Sequence, residues 1–296
     1  MQRKLLFIVN PRSGKKNSGE IIEAINKILS DKMPYEIALW TNIDEFNKIA
    51  ARLKNENFTD VIAVGGDGSV NLVAKTILNT ALILGIVPAG SGNGLARSLG
   101  ISMQTEKALH QITDGKTKLI DSGEVNGHAF FCTSGVGFDA HIGNLFANLK
   151  KRGLKTYIKL ISKEFFNYKP KIYTIVANGK ELKREAFFIT VANAGQFGND
   201  FYIAPEAKLN DGLFNVVIVK PVTLLQGLAL ILKIVRRKAN TSKYIEAFTC
   251  RELTIKRDAP DCVHFDGEPS VLEADLHYSL RPGTLKVIVG TGFKGV

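Results

Sequence analysis

Three glycines within four positions separate an apolar run from a helical pattern in the stretch TDVIAVGGDGSVN, residues 59–71. The apolar run predicts a buried strand, and VNLVAKTIL (70–78) then places apolar residues at helical spacing. The chain therefore turns tightly from a strand into a helix, and the glycines let a ligand approach the backbone. Because the first N–H groups of a helix attract anions, we expect a nucleotide phosphate at this turn.

Asp67 lies among these glycines, where a carboxylate would repel a phosphate unless Mg²⁺ or a proton transfer involves it. We interpret Asp67 as a general base or as a ligand of a catalytic Mg²⁺, and the sequence does not choose between the two. The simpler alternative is a sharp βα turn in which Asp67 only caps the helix.

The same strand–turn–helix pattern repeats through the first 121 residues. Predicted strands at 4–9, 35–40, 60–64 and 83–87 alternate with predicted helices at 19–29, 43–53, 70–78 and 95–99. This alternation predicts an α/β domain built on a doubly wound parallel sheet. Ligands of such sheets bind at the carboxyl ends of the strands, where the turns at 10–15 and 88–93 also lie.

After residue 121 the pattern changes to strands joined by short polar turns, which predicts an antiparallel β-rich domain over residues 122–284. Its predicted strands are 122–132, 171–178, 186–194, 213–219, 247–256 and 270–280, and two helical segments interrupt them at 142–166 and 224–238. The final segment, 285–296, either closes this domain or returns to the first.

Charge and composition limit the partners that this chain can have. Lys and Arg number 39 against 28 Asp and Glu, a net charge of +11 that favours anionic partners such as phosphates or acidic lipids. No nucleic-acid recognition motif is found, so nucleic acid is not expected. The three scattered cysteines form no disulfide or metal pattern, and the longest apolar segment (222–235) is interrupted by Gln226 and Lys233 and cannot span a bilayer. We expect a cytoplasmic protein that is peripheral at the membrane.

Motifs along nearly the whole chain resemble, in order, those of the diacylglycerol kinase catalytic-domain superfamily, which includes bacterial soluble diacylglycerol kinases, sphingosine kinases and ceramide kinases. They are Asn10-Pro11-x-Ser13-Gly14, Gly65-Gly66-Asp67-Gly68-Ser69, Pro88-Ala89-Gly90-Ser91-Gly92-Asn93, Gly135-x-Gly137-Phe138-Asp139-Ala140, Ala204-Pro205-x-Ala207 with Asp211-Gly212, and Asp266-Gly267-Glu268. The resemblance implies a phosphofructokinase/NAD-kinase-like α/β nucleotide domain followed by an antiparallel β-sandwich lipid domain.

The resemblance also implies a function and its residues. The chain would be a lipid kinase that uses ATP and Mg²⁺ to phosphorylate a primary hydroxyl of diacylglycerol or of a sphingoid or ceramide-like lipid. Glu268 matches the proton acceptor, with Asp67 as the rival, and Lys208, Asp211 and Leu213 match a structural Mg²⁺ site in which residues 208 and 213 use main-chain oxygens. The nucleotide contacts would be Asn10, Ser13, Gly14, Lys15, Thr41, Gly65, Gly66, Asp67, Gly68, Ser69, Asn71, Ser91, Gly92 and Asn93. Asp121 and Lys15 match a polar network around the metal, and His264 is interpreted as structural.

One departure from the family pattern keeps alternatives open. Asn93-Gly94 stands where many bacterial diacylglycerol kinases have Asn-Asp, so one acidic member of the metal network is absent. This absence weakens the diacylglycerol assignment more than the kinase assignment. The alternatives are an NAD-kinase-like enzyme with a soluble substrate and a non-catalytic regulator that binds nucleotide or lipid.

Two segments, 150–159 and 230–238, combine basic with apolar residues. They predict docking of the chain on an anionic membrane, where the lipid substrate that the resemblance implies would reside. The alternative for each segment is a core helix whose basic end is solvated, because lysine near a helix C-terminus also suits the helix dipole. Whether the chain forms a homodimer is left open.

Overall fold

The computed structural model describes residues 2–12, 16–149 and 154–296. The chain forms two compact units, one of residues 1–121 together with 282–296 and the other of residues 122–281. The chain passes into the second unit within strand β5 (Thr117–Val125) and returns to the first within strand β16 (Asp275–Ile288).

The first unit is built on a parallel sheet in the order β2-β1-β3-β4, which the end of β16 extends through the parallel pairs Lys286 with Ile83 and Val287 with Leu84. Its strands are β1 (Leu5–Val9), β2 (Tyr35–Leu39), β3 (Asp60–Gly65) and β4 (Ile83–Pro88), and its helices are α1 (Ser18–Leu29), α2 (Ile43–Arg52), α3 (Asp67–Thr76), α4 (Gly94–Ser98) and α5 (Thr105–Asp114). All residues of β1 and β3 are buried, as expected for central strands covered on both faces.

Within the described residues, the second unit is an antiparallel β-sandwich with three α-helices and a short 3₁₀ helix (Ala239–Thr241). Its further strands are β6 (His128–Phe130), β7 (Thr133–Gly137), β8 (Lys171–Ala177), β9 (Lys180–Ala186), β10 (Phe188–Ala192), β11 (Phe214–Val219), β12 (Ile245–Cys250), β13 (Glu252–Lys256), β14 (Asp261–Phe265) and β15 (Glu268–Leu272), and its helices are α6 (Phe138–Ala147), α7 (Leu154–Asn167) and α8 (Leu224–Val235). One sheet has the order β12-β11-β10-β7-β14-β15, and in the other β13 pairs with β8 and with the start of β16. Apolar side chains of both sheets share one core, in which Phe130 stacks on Phe214.

These two architectures confirm the predicted fold class, an α/β domain with a mostly parallel sheet followed by an antiparallel β-sandwich. Several element boundaries differ from the sequence prediction. The helical segment 142–166 is two helices, α6 and α7, and the strand 247–256 is two strands that Arg251 separates and that belong to different sheets. Strand β9 was not predicted, because its sequence KELKREA is charged and, among the described strands, it pairs only with β8 at a sheet edge.

Candidate functional site

The first candidate site is formed by the turn that joins β3 to α3 and the turn that joins β4 to α4. Asp67 is the first residue of α3, and its carboxylate accepts hydrogen bonds from two backbone amides of the other turn. Its Oδ2 accepts from Asn93 N at 2.9 Å and its Oδ1 from Gly94 N at 2.7 Å. Asp67 therefore fastens the two glycine-rich turns to each other.

Glycine is required in these turns by close approach of the chain. A Cβ atom on Gly90 would lie 2.7 Å from the Cα of Gly66, and a Cβ atom on Gly92 would lie 2.6 Å from Oδ2 of Asp67. Any side chain at either position would push the turns apart. Glycine at positions 66 and 68, on either side of Asp67, leaves the backbone open on that part of the turn, as close approach of a phosphate requires.

The turn after β1 is joined to the same region by two side chains. Asn10 Nδ2 donates to Ser69 Oγ at 3.2 Å in the first turn of α3. Lys16 Nζ donates to the carbonyl oxygens of Pro88 at 2.9 Å and Met103 at 2.6 Å. Burial lowers the pKa of the Lys16 ammonium. Sequence analysis did not select Lys16, because nothing in the sequence distinguishes it from Lys15.

Two buried amide side chains beside these turns have polar atoms without a partner in the described part of the chain. Asn71 is 3% exposed and its Nδ2 makes no hydrogen bond, and Asn93 is 6% exposed and its Oδ1 makes none. An unsatisfied buried polar atom costs about 1–3 kcal/mol, so a ligand that pairs with it recovers that cost. Together with the glycines at the start of α3, these atoms fit a polar ligand that carries a phosphate.

The remaining predicted nucleotide contacts have varied surroundings. Gly65 ends β3 and is buried, Gly68 lies in the first turn of α3, and Ser91 is exposed in the turn before α4. The N–H and hydroxyl groups of Thr41 both bond to Oε2 of Glu45, at 2.7 and 3.0 Å, and the backbone bond lowers the pKa of that carboxyl. Ser13, Gly14 and Lys15 lie outside the described residues. The roles of all these residues stay predictions.

Asp121 belongs to the same unit but serves a different contact. It is 3% exposed, and its Oδ1 accepts a hydrogen bond from Gly283 N at 2.8 Å. Asp121 therefore holds the segment on which the chain returns to the first unit. Its predicted part in a network around a metal stays a prediction.

The second unit contains the predicted metal site, in the loop before β11. Asp211 Oδ1 accepts a hydrogen bond from Leu213 N at 3.1 Å across Gly212, whose φ of +74° lies in the left-handed region. The described residues contain no cluster of three or more His, Cys, Asp or Glu side chains that could hold a metal. A site of one carboxylate and the carbonyl oxygens of Lys208 and Leu213 is not such a cluster, and its all-oxygen donor set suits Mg²⁺.

Glu268 is exposed and is the first residue of β15 in the β14–β15 hairpin. Asp266 and Gly267 form its two-residue turn, with φ values of +51° and +86° that fit a type I′ turn. The carboxylate of Asp266 accepts three backbone N–H groups, from Phe131 at 2.8 Å, Cys132 at 2.6 Å and Thr133 at 2.9 Å. The hairpin that carries Glu268 is thereby fixed to the start of β7. The Asp-Gly pair signalled the turn, but nothing in the sequence indicated this anchor.

His264, two residues before the turn, is 5% exposed, and its Nε2 lies 3.1 Å from Oδ2 of Asp139 at the start of α6. A Cβ atom on Gly135 would lie 2.7 Å from the same Asp139 oxygen, so glycine makes room for the pair. This pair of a buried imidazole and a half-buried carboxylate connects α6 to β14, which agrees with a structural interpretation of His264.

Comparison with known proteins gives two family matches that together cover most of the chain. Residues 4–125 match the diacylglycerol kinase catalytic domain, and residues 133–289 match the YegS C-terminal NAD kinase beta sandwich-like domain. A crystal structure of a diacylglycerol kinase from Bacillus anthracis aligns with a TM-score of 0.79 over 99% of both chains at 21% identity, and so shares the fold.

Curated relatives show the same similarity. A probable lipid kinase YegS-like protein of Pectobacterium atrosepticum is 30% identical over 297 residues, 94% of this chain and 96% of the relative. A diacylglycerol kinase of Bacillus subtilis is 27% identical over 235 residues, 75% of each protein. An uncharacterized Synechocystis protein is 30% identical over 244 residues; the alignment covers 76% of this chain and 55% of the Synechocystis protein.

Proposed function

Because the chain belongs to the diacylglycerol kinase superfamily, a family of lipid kinases, we propose that it transfers the γ-phosphoryl group of ATP to the primary hydroxyl of diacylglycerol. The family makes the protein a phosphotransferase, and the name of the Bacillus subtilis relative supports diacylglycerol as the acceptor. The observation that carries the proposal is the pair of glycine-rich turns that Asp67 fastens together beside the unpaired amide of Asn71.

The residues of the first unit would bind and orient the nucleotide. The start of α3 offers backbone N–H groups and the positive end of the helix dipole to the phosphates. Asn71 Nδ2 is available to donate to a nucleotide oxygen, and Asn93 Oδ1 to accept from a ribose hydroxyl or an amino group. Phosphoryl transfer depends mainly on such positioning and on charge stabilisation, so few residues need to take part in covalent steps.

Asp211, with the carbonyl oxygens of Lys208 and Leu213, would hold a Mg²⁺ ion in the second unit. When bound, the ion would supply positive charge that shapes this loop and the electrostatics around it. The hydrogen bond from Leu213 N to Asp211 Oδ1 already holds the carboxylate beside the backbone that would supply the other oxygens. The alternative to this assignment is that Asp67 acts as the general base or as a metal ligand.

Glu268 would act as the general base. Its carboxylate accepts the proton of the lipid hydroxyl while that oxygen forms a bond to the γ-phosphorus, and the bond between the γ-phosphorus and the bridging oxygen breaks to release ADP. The hydrogen bonds of Asp266 fix the backbone of the hairpin that carries this carboxylate. A base must lie within hydrogen-bond reach of the proton that it removes, so this rigidity contributes to the rate.

The experiment is transfer from [γ-³²P]ATP with Mg²⁺ to a panel of diacylglycerol, monoacylglycerol, ceramide, sphingosine, phosphatidylglycerol and NAD⁺. We expect labelled product with diacylglycerol. Glu268→Gln should lower kcat by about 10²–10⁴-fold without a comparable change in the KM for ATP, because general-base catalysis supplies an acceleration of that size.

Glu181→Gln is the matched control, since Glu181 is an exposed glutamate of β9. It should leave kcat unchanged. Labelling of NAD⁺ alone would replace the proposal by the soluble-substrate kinase. That alternative is compatible with the NAD kinase-like description of the second domain. Nucleotide binding without labelling of any acceptor would favour the regulator, and equal kcat for Glu268→Gln and wild type would remove Glu268 from the mechanism.

A further inference from the structure

Helix α8 exposes a row of large apolar side chains. Six of the sixteen exposed large apolar residues in the described part of the chain lie on this one helix of twelve residues: Leu224, Leu225, Leu228, Ile231, Leu232 and Val235. Leu225 is 77% exposed and Leu232 56% exposed. Such clustering is unusual, because soluble proteins expose large apolar residues mostly one at a time.

The exposed residues occupy one side of the helix. At about 100° per residue, the six positions fall within an arc of about 120°. Leu230 and Ile234 lie on the opposite side and pack into a core with Phe138 and Phe187. The core therefore uses one face of α8, and the other apolar face is left exposed to solvent. The alternative that this segment is a core helix explains the buried face but not the exposed one.

Basic residues follow this exposed apolar face directly. Arg236, Arg237 and Lys238 are all exposed after the last turn of α8. Arg237 donates to the hydroxyl of Tyr202 at 2.9 Å, and within the described chain none of the three forms an ion pair with an acidic side chain. Between Asp211 and Glu246 the sequence has six lysines and arginines and no acidic residue.

We propose that α8 lies in the surface of an anionic lipid bilayer, with its exposed leucines among the acyl chains and Arg236 and Lys238 against the headgroups. Interfacial helices combine these two features, an apolar face and a basic flank. Charge selects this occupant over a second copy of the chain, because the same basic segment of a second copy would repel it. The inference rests on the proposed function in one respect, since a lipid substrate places the protein at a membrane.

The test is co-sedimentation of the full chain with vesicles of phosphatidylcholine alone and of phosphatidylcholine with 30% phosphatidylglycerol. We expect binding to the anionic vesicles only. Arg236→Gln with Lys238→Gln should weaken that binding about 30-fold, given the contribution of each basic residue near an anionic surface. Leu225→Gln with Leu232→Gln should weaken it about tenfold or more. The binding that remains should depend more strongly on salt concentration than wild-type binding does.

Two controls keep the measurement specific. Ile172→Gln removes an apolar side chain of β8 that is 53% exposed, and Lys180→Gln with Lys183→Gln removes two charges from β9. Both should bind vesicles as the wild type does. Sedimentation measures binding without turnover, so its result can be interpreted even if the chain shows no kinase activity. Two outcomes would overturn the inference. One is equal binding to both vesicle types. The other is a failure to bind vesicles together with a dimer in solution that Leu225→Gln with Leu232→Gln dissociates.

Discussion

Asp67 shows how far a single residue can be understood from sequence. Its position between glycines indicated a carboxylate at a strand-to-helix turn, and the structure places it there. Its partners, the amides of Asn93 and Gly94, are 26 and 27 residues further along the chain. A local pattern cannot specify such contacts, because they depend on two neighbouring strands, β3 and β4, ending side by side. The Asp67 carboxylate thus has three candidate functions: positioning of the two turns, metal binding and proton transfer.

Asp67→Asn separates these functions. An amide nitrogen would face one of the two backbone N–H groups, so one hydrogen bond is lost and a donor meets a donor. If Asp67 mainly positions the turns, we expect the free energy of unfolding to fall by about 1–3 kcal/mol and the KM for ATP to rise severalfold. Urea denaturation and steady-state kinetics measure the two quantities.

A matched control is Asp44→Asn, because Asp44 also lies in the first turn of a helix, α2, and is exposed. This variant should change neither quantity. A loss of 10²-fold or more in kcat for Asp67→Asn, at unchanged stability and unchanged KM, would instead assign Asp67 to proton transfer or to the catalytic metal.

At the scale of elements, a strand or helix could be predicted where its own residues supply its stability. It could not be predicted where its stability comes from pairing with another strand. Buried strands such as β1 and β3 are continuous apolar runs, and the helices α1 and α2 begin at the capping residues Asn17 and Asn42, so the sequence carries their signals. Strand β9 depends on its pairing with β8 and has no apolar run. The break between β12 and β13 is also hidden, because only a shift of one residue in the alternation, at Arg251-Glu252, marks the change of sheet.

The β14–β15 hairpin is the element whose rigidity matters most for the proposed chemistry. Asp266→Asn keeps a residue that tolerates the left-handed φ of +51° but replaces one carboxylate oxygen by a donor. The bond from Phe131 N or those from Cys132 N and Thr133 N must then be lost. We expect a decrease of about 1–3 kcal/mol in the free energy of unfolding and a lower kcat at a nearly constant KM for ATP.

Asp258→Asn provides the comparison, since Asp258 is exposed in the loop before β14 and should be neutral within about 0.5 kcal/mol. Hydrogen exchange of the Phe131, Cys132 and Thr133 amides should accelerate in Asp266→Asn alone. A variant that lowers stability while leaving kcat intact would show that the hairpin does not need this anchor to present Glu268.

For the whole molecule, the notable feature is that the first unit is completed by the last residues of the chain. Leu285 and Val287 are fully buried, and Val287 pairs with Leu84 of β4. The sequence showed an apolar run at 285–290 but left its destination open, because strand pairing between residues about 200 positions apart leaves no local pattern. The parallel sheet of the first unit therefore forms completely only after the second unit has been synthesised.

Leu285→Ala tests the contribution of this returning segment to the first unit. Removing a fully buried leucine side chain should lower the free energy of unfolding by about 2–5 kcal/mol, whereas Val296→Ala, at a residue that is 72% exposed, should change it by less than about 0.5 kcal/mol. Trp40 is the single tryptophan and belongs to the first unit, so its fluorescence during urea denaturation reports on this unit. An unchanged Trp40 transition in Leu285→Ala would mean that the parallel sheet is stable without its last strand.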